Sequence, residues 1–216
     1  MDNGNRLLDY VEMLDSFLPV GGFTYTASLD SMLSEGTIHS RDELEQYMQQ
    51  QLPLHLITTE GYAIKEIYTA AAKEDLDAIV RINRSLSGTD RTLDQEAYER
   101  RASKRLFKLA KALYPWLDLE DLEQSVLQHN GVVYLSTLHG WINHQLSISC
   151  DRAVYTYMQS VVSSCVRCAA KKLPFTSQEG KVMVQQLLKE LEQEWEMAKE
   201  ASQNVFSPQT AGSRSA

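Results

Sequence analysis

The sequence predicts an all-α protein, a single-domain helical bundle of roughly nine to ten helices. Glycine and proline are scarce, with 10 and 5 among 216 residues, so few positions break a helix. Apolar residues recur mostly three and four positions apart, the spacing of one helix face. Two capping boxes, Ser40 with Glu43 and Thr176 with Glu179, mark helix starts inside the chain.

In the N-terminal half, helices are expected at 7–18, 24–35, 41–52 and from Asp75 onward. Gly36 should end the second of these, because glycine readily takes the left-handed conformation that follows a helix. Pro53 should kink or end the third, with residues 54–62 continuing as helix or as a short extended piece. Residues 87–90, "SGTD", form the clearest internal loop.

In the C-terminal half, the longest helix is expected at 93–113, before Pro115. A short acidic helix at 118–128 follows, and Gly131 marks the next corner. Residues 132–172 are mostly apolar or small, which predicts two central helices joined near 150–151. The helix opened by Thr176 carries the last apolar stripe.

Composition and charge limit the classes of protein to which this chain can belong. We assign residues 1–206 to one all-α domain and expect 207–216, "SPQTAGSRSA", to be a disordered tail. The formal net charge of -8 argues against nucleic acid or an anionic membrane as the main partner. No signal-peptide pattern or membrane-length apolar run occurs, and three cysteines give no disulfide framework. We therefore expect a soluble, cytoplasmic protein.

Catalytic and nucleotide-binding motifs are absent from the sequence. It contains no P-loop, no dinucleotide-binding glycine fingerprint, no His-Glu-x-x-His helix and no Gly-x-Ser-x-Gly elbow. The pair Gly21-Gly22 lacks the lysine that would meet a phosphate. We therefore expect no enzyme and no catalytic residue.

Two patterns in the sequence contain residue types that can bind metal. Cys165 and Cys168 are three apart, which places both thiols on one helix face, but a structural zinc site usually needs four ligands. Cysteines on an apolar helix are more often small core residues. His139 and His144 lie about 140° apart around a helix and are poorly placed to chelate one ion. The packed, non-ligating interpretation is favoured for both patterns.

A basic face is expected on the 93–113 helix. Arg101, Lys104, Lys108 and Lys111 follow the spacing of one face, with leucines on another. Such a run is most often simply solvated. On an acidic protein this face could also bind an acidic partner, including a second copy of the chain. Nucleic acid is a less favoured partner for the same face.

The segment from Pro19 to Phe23 contains a glycine pair and separates two predicted helices. Pro19 fixes its entry, the glycines permit positive φ or close approach, and Phe23 and Tyr25 are large anchors. It is either a helix–helix turn with aromatic residues folded into the core or an exposed loop that contacts a partner. The residues alone leave both alternatives open.

This stretch resembles the N-terminal signature of the urease accessory protein UreF family, Asp-Ser-x-x-Pro-x-Gly-x-Phe-x-His-Ser followed by Gly-Leu-Glu. The matching residues are Asp15, Ser16, Pro19, Gly21, Phe23, Leu29 and Asp30, with the helix end at Gly36. The resemblance continues in order through "ERRASKRLFKLAKAL", "QHNGVVYLSTLHG" and "AAKKLPFTSQEGKVMVQQL", so that it covers roughly residues 6–206. Tyr25-Thr26 replaces the usual His-Ser, and "QTAGSRSA" replaces an acidic tail containing His-Glu and Arg.

The resemblance implies a dimer-forming accessory protein without catalysis of its own. Its expected partners are a nickel-carrying, UreG-like GTPase, a UreD/UreH-like scaffold and apo-urease, and the assembly delivers nickel in a GTP-dependent way. Nickel would be handled by the complex, so no cofactor and no metal ligand are expected here. The residues expected to contact partners are Pro19, Gly21, Gly22, Phe23, Tyr25, Thr26, Arg101, Lys104, Ser207 and Pro208.

Two rival functions accompany this interpretation. One is a metallochaperone that binds nickel itself through Cys165, Cys168 and nearby histidines. The other is an all-α enzyme whose unrecognised site would lie in a deep pocket near Phe23 and Tyr25.

Overall fold

The computed structural model describes residues 24–87, 93–128 and 131–206, and it is all-α over these ranges. The helices are α1 (Thr24–Ser34), α2 (Arg41–His55), a π-helical segment (Leu56–Gly61), α3 (Tyr62–Ala71), α4 (Leu76–Ser85), α5 (Leu93–Leu113), α6 (Glu120–Leu127), α7 (Leu135–Gln145), α8 (Cys150–Ala169) and α9 (Ser177–Phe206). Since α2, the π segment and α3 form one uninterrupted run, the described ranges hold eight helical rods, slightly fewer than predicted. The predicted helix at 7–18, the loop at 87–90 beyond Ser87 and the tail lie outside the described residues.

Local signals place most helix ends. Gly36 has a φ of +73° just beyond α1, the conformation that favours glycine. At the start of α2, the Ser40 hydroxyl accepts a bond from the Glu43 amide at 3.2 Å. Asp75 caps α4 in the same way through the Ala78 amide at 2.8 Å. The predicted starts of α2 and α4 are therefore confirmed by their capping bonds.

Pro53 does not end the helical run. The α2 helix continues through it to His55, and the next six residues take π-helical geometry before α3 resumes the α register. Residues 54–62 are thus helical, the first of the two alternatives. The wider turn buries Leu56, Ile57, Glu60 and Gly61, so one carboxylate faces the core.

The core forms around α8, which packs against α1, α3, α7 and α9. Thirteen of its twenty residues are buried, among them Val161, Val162 and Cys165. The α7 helix packs against α3, where a Cβ added to Gly140 would lie 3.2 Å from the Ile67 methyl group. The prediction of two central helices between 132 and 172 is confirmed. No helix in the described part of the chain is long and apolar enough to cross a membrane.

Candidate partner interface

The first turn of α1 follows the proline–glycine segment directly and is tied to two other elements. The Thr24 hydroxyl donates to the Glu99 carboxylate on α5 at 2.9 Å. The Tyr25 hydroxyl makes a long contact of 3.5 Å with the Glu60 carboxylate of the π segment. Thr26 is completely buried, so its side chain contributes to packing. This turn therefore has a fixed position relative to α5.

Glu60 and Glu99 are almost fully enclosed, with 2% and 3% of their surface exposed. We call this pair the buried carboxylates. Glu60 also receives the Tyr157 hydroxyl of α8 at 3.4 Å, and Glu99 accepts the Leu135 amide of α7 at 3.1 Å. A buried carboxylate is tolerated only when hydrogen bonds replace water. The pair thus joins α1, α5, α7, α8 and the π segment around the first turn of α1.

His139 lies beside this network but is held in the neutral form. Its ring meets the Tyr157 ring edge-on at 5.3 Å, and its Nε2 donates to the Ala153 carbonyl at 2.8 Å. Burial lowers the pKa of His139 to about 4. His144 packs its ring against Tyr68 instead. The two imidazoles therefore pack against different aromatic rings, and only His139 is buried.

The two cysteines of the Cys-x-x-Cys pair are both buried on α8. Desolvation raises the pKa of Cys165 and of Cys168, and the nearby Asp30 carboxylate raises that of Cys168 further. Cys168 Sγ lies 3.7 Å from Asp30 Oδ1, which is itself paired with Lys172 at 2.7 Å. The thiolate is the form that binds metal, so this environment opposes ligation. Among the residues that the structure describes, no three His, Cys, Asp or Glu side chains are grouped to hold an ion.

The basic face of α5 is exposed as predicted over Arg101, Lys104 and Lys108. Arg101 lies over the Tyr98 ring at 4.7 Å, and none of these three cations forms an ion pair in the described chain. Lys111 differs, since it pairs with Glu120 and with a second carboxylate on α6, at 3.5 and 3.4 Å. The available face therefore ends one turn earlier than the sequence pattern indicated.

The structure describes four of the predicted contact residues, two at the start of α1 and two on the exposed side of α5. Tyr25 and Thr26 begin the helix whose first residue bonds Glu99, and Arg101 and Lys104 follow Glu99 on the same helix. The remaining predicted contacts lie outside the described residues: Pro19, Gly21, Gly22, Phe23, Ser207 and Pro208. The sequence reasoning missed the buried carboxylates. The available signal for Glu60 was a single acid within the largely apolar stretch from 52 to 64.

Comparison with known proteins gives the family. The family model for UreF matches residues 38–191, which is more than two thirds of the chain and includes both buried carboxylates and the basic face. The chain belongs to the UreF family.

Curated UreF proteins match over most of their own length as well. A urease accessory protein UreF from Bacillus sp. (strain TB-90) is 24% identical over 86% of this chain and 83% of the relative. The one from Lachnoclostridium phytofermentans is 20% identical over 96% and 91%, and that from Streptococcus salivarius is 20% identical over 95% and 86%. The UreF family resemblance noted in the sequence is therefore confirmed.

Proposed function

We propose that this chain is a non-catalytic adaptor that promotes GTP-dependent nickel insertion into apo-urease together with a nickel-carrying GTPase and a scaffold protein. Family membership supports the link to urease, because the matched relatives are named urease accessory proteins. The sequence has no P-loop, so GTP hydrolysis would belong to a partner. A cytoplasmic homodimer is part of the proposal.

The observation that carries the adaptor role is the bond between Thr24 and Glu99. It joins the first residue of α1, which follows the proline–glycine segment in the sequence, to the helix that bears Arg101 and Lys104. An exposed cationic face on a helix that is fixed by buried bonds is suited to partner recognition, because little ordering entropy remains to be lost on binding.

Nickel is assigned to the assembly and not to tight binding by this chain. The burial and raised pKa of Cys165 and Cys168 favour this division. Equilibrium dialysis with nickel tests it, with a Cys165→Ser/Cys168→Ser variant as the matched control. Tight binding that the double substitution abolishes would instead establish the metallochaperone function.

Co-expression tests the adaptor role directly. The tagged chain is produced with the urease-assembly GTPase and the scaffold. The molar mass of the eluted complexes is measured by light scattering. We expect a stoichiometric complex containing both partners and a dimeric mass for the chain alone. A well-folded chain that binds neither partner would contradict the proposal.

A further inference from the structure

A pocket of about 190 Å³ lies between α4, α5, α6 and the segment that precedes α7. Its buried lining is mostly apolar, with Val80, Val126 and Tyr134, and Asn83 is its buried polar member. Its exposed lining carries two guanidinium groups, Arg84 from the last turn of α4 and Arg100 from α5. The pocket therefore combines an apolar floor with a cationic rim.

The walls of this pocket are held by a buried side chain. Asn83 Nδ2 donates to the Val132 carbonyl at 2.8 Å, and Asn83 Oδ1 accepts the Tyr134 amide at 2.9 Å. Both bonds join the end of α4 to the chain before α7. The pocket is thus a built feature of the fold, with its shape set before any ligand arrives.

The two arginines are unpaired in the described chain. Neither Arg84 nor Arg100 takes part in an ion pair there. Glu96 also lines the pocket one turn before Arg100, yet its carboxylate pairs with neither guanidinium. Among the described residues of the lining, two cations stand against one carboxylate, which favours an anionic ligand.

We propose that this pocket binds a carboxylate side chain from an acidic segment of a partner protein, with Arg84 and Arg100 as donors. The guanidinium fork matches the two oxygens of a carboxylate. The volume is below the roughly 300–1,000 Å³ of small-molecule sites, so it suits one side chain. The apolar floor accommodates the methylene groups of that side chain.

The surface beside the pocket indicates an extended acidic occupant. Arg100 begins a row that continues through Lys104 and Lys108, each step rising about 6 Å along α5. These cations are exposed and unpaired in the described chain. A segment with one acid in the pocket and others along the row would meet all of them. In assigning this segment to a partner protein, the inference rests on the proposed function.

Fluorescence anisotropy tests the pocket with the chain alone. The probe is a fluorescein-labelled polyglutamate of about twelve residues, long enough to follow the row. We expect Arg84→Gln/Arg100→Gln to weaken binding at least about tenfold, because two charge-assisted contacts are lost. The control Lys181→Gln/Lys189→Gln removes the same charge from exposed positions on α9 and should change binding less than about twofold.

A second variant separates fork recognition from charge alone. Arg84→Lys/Arg100→Lys keeps the charge but loses the planar fork, and we expect an intermediate loss of affinity. Full retention by this variant, or equal losses in the glutamine variant and its α9 control, would overturn the proposal. Equal melting temperatures for all variants show that they remain folded.

Two competitors identify the anion. Inorganic phosphate and a short oligo-dT are each added to the polyglutamate complex. Weak displacement by both supports an acidic protein segment, whereas tighter, arginine-dependent binding of either would overturn it. Because no other protein is present, the result is independent of whether the chain assembles with the GTPase and scaffold.

Discussion

Glu99 shows how one side chain can serve two helices. Its Oε1 receives the Thr24 hydroxyl and its Oε2 receives the amide of Leu135, the first residue of α7. The side chain of Tyr134, the residue before α7, does not cap that helix. Glu99 on α5 instead supplies the acceptor for the first amide of α7. Negative charge at a helix N-terminus is also favourable in itself. The residue therefore stabilises α7 while it positions α1.

Replacing Glu99 with alanine should destabilise the fold by about 2–4 kcal/mol, because a buried amide and a hydroxyl lose their acceptor. Urea denaturation measures the free energy of unfolding. The matched change Glu192→Ala, on an exposed position of α9, should cost less than about 0.5 kcal/mol. Equal effects at both sites would show that Glu99 has no special structural role.

His139 gives the molecule a pH dependence with a defined sign. Burial lowers its pKa to about 4 in the folded chain, against about 6.5 when unfolded. Between these values the unfolded state binds more protons, so stability falls as pH decreases through the window. As the pH falls from 7.5 to 5, protonation of His139 in the unfolded state should lower the free energy of unfolding by about 2 kcal/mol.

Comparison of the wild-type chain with a His139→Gln variant isolates this contribution. Glutamine can donate to the Ala153 carbonyl but does not titrate, so the difference in unfolding free energy between the two proteins should change with pH. Parallel curves from pH 7.5 to pH 5 would contradict the assignment.

At the scale of elements, local chemistry made several boundaries predictable. Ser40, Asp75 and Gly36 act within a few residues of themselves, so the sequence was sufficient to place the helix ends they define. The buried carboxylates could not be predicted in this way. Their partners come from helices distant in the chain, and isolated acids in a helical pattern are usually solvated.

The π segment could not be predicted from the sequence either. A change from α to π geometry over six residues does not alter the spacing of apolar residues enough to be detected. Pro53 indicated that the helix would be irregular near this point, but it did not indicate π-helical geometry. The structure shows why position 61 holds a glycine: a Cβ there would lie 2.9 Å from the Leu56 carbonyl oxygen and 3.0 Å from the Trp195 ring. Trp195 is also fixed by its bond to Asp151 at 3.2 Å.

Gly61→Ala should therefore lower the free energy of unfolding by about 1–2 kcal/mol, although alanine is the better helix former. Thermal or urea unfolding provides the measurement. Thr69→Ala, an exposed substitution on α3, should change stability by less than about 0.5 kcal/mol. A stabilised Gly61→Ala variant would mean that the close approach to Trp195 does not constrain the helix.

At the scale of the whole molecule, charge is distributed unevenly. The chain carries a formal charge of -8, yet the exposed Arg101, Lys104 and Lys108 occupy one face of α5 without ion pairs in the described residues. Unpaired like charges repel one another, so this arrangement adds little to stability. Its effect is expected on association, where local complementarity sets rate and specificity.

Reversing the charge at Arg101 and Lys104 to glutamate should abolish co-elution with the assembly partners while leaving the melting temperature nearly unchanged. The matched variant Lys181→Glu/Lys189→Glu alters net charge equally on exposed positions of α9 and should still assemble. Raising the salt concentration should weaken the wild-type complex, because screening acts on exposed pairs. Equal loss of binding in both variants would show that overall charge, and not the α5 face, controls association.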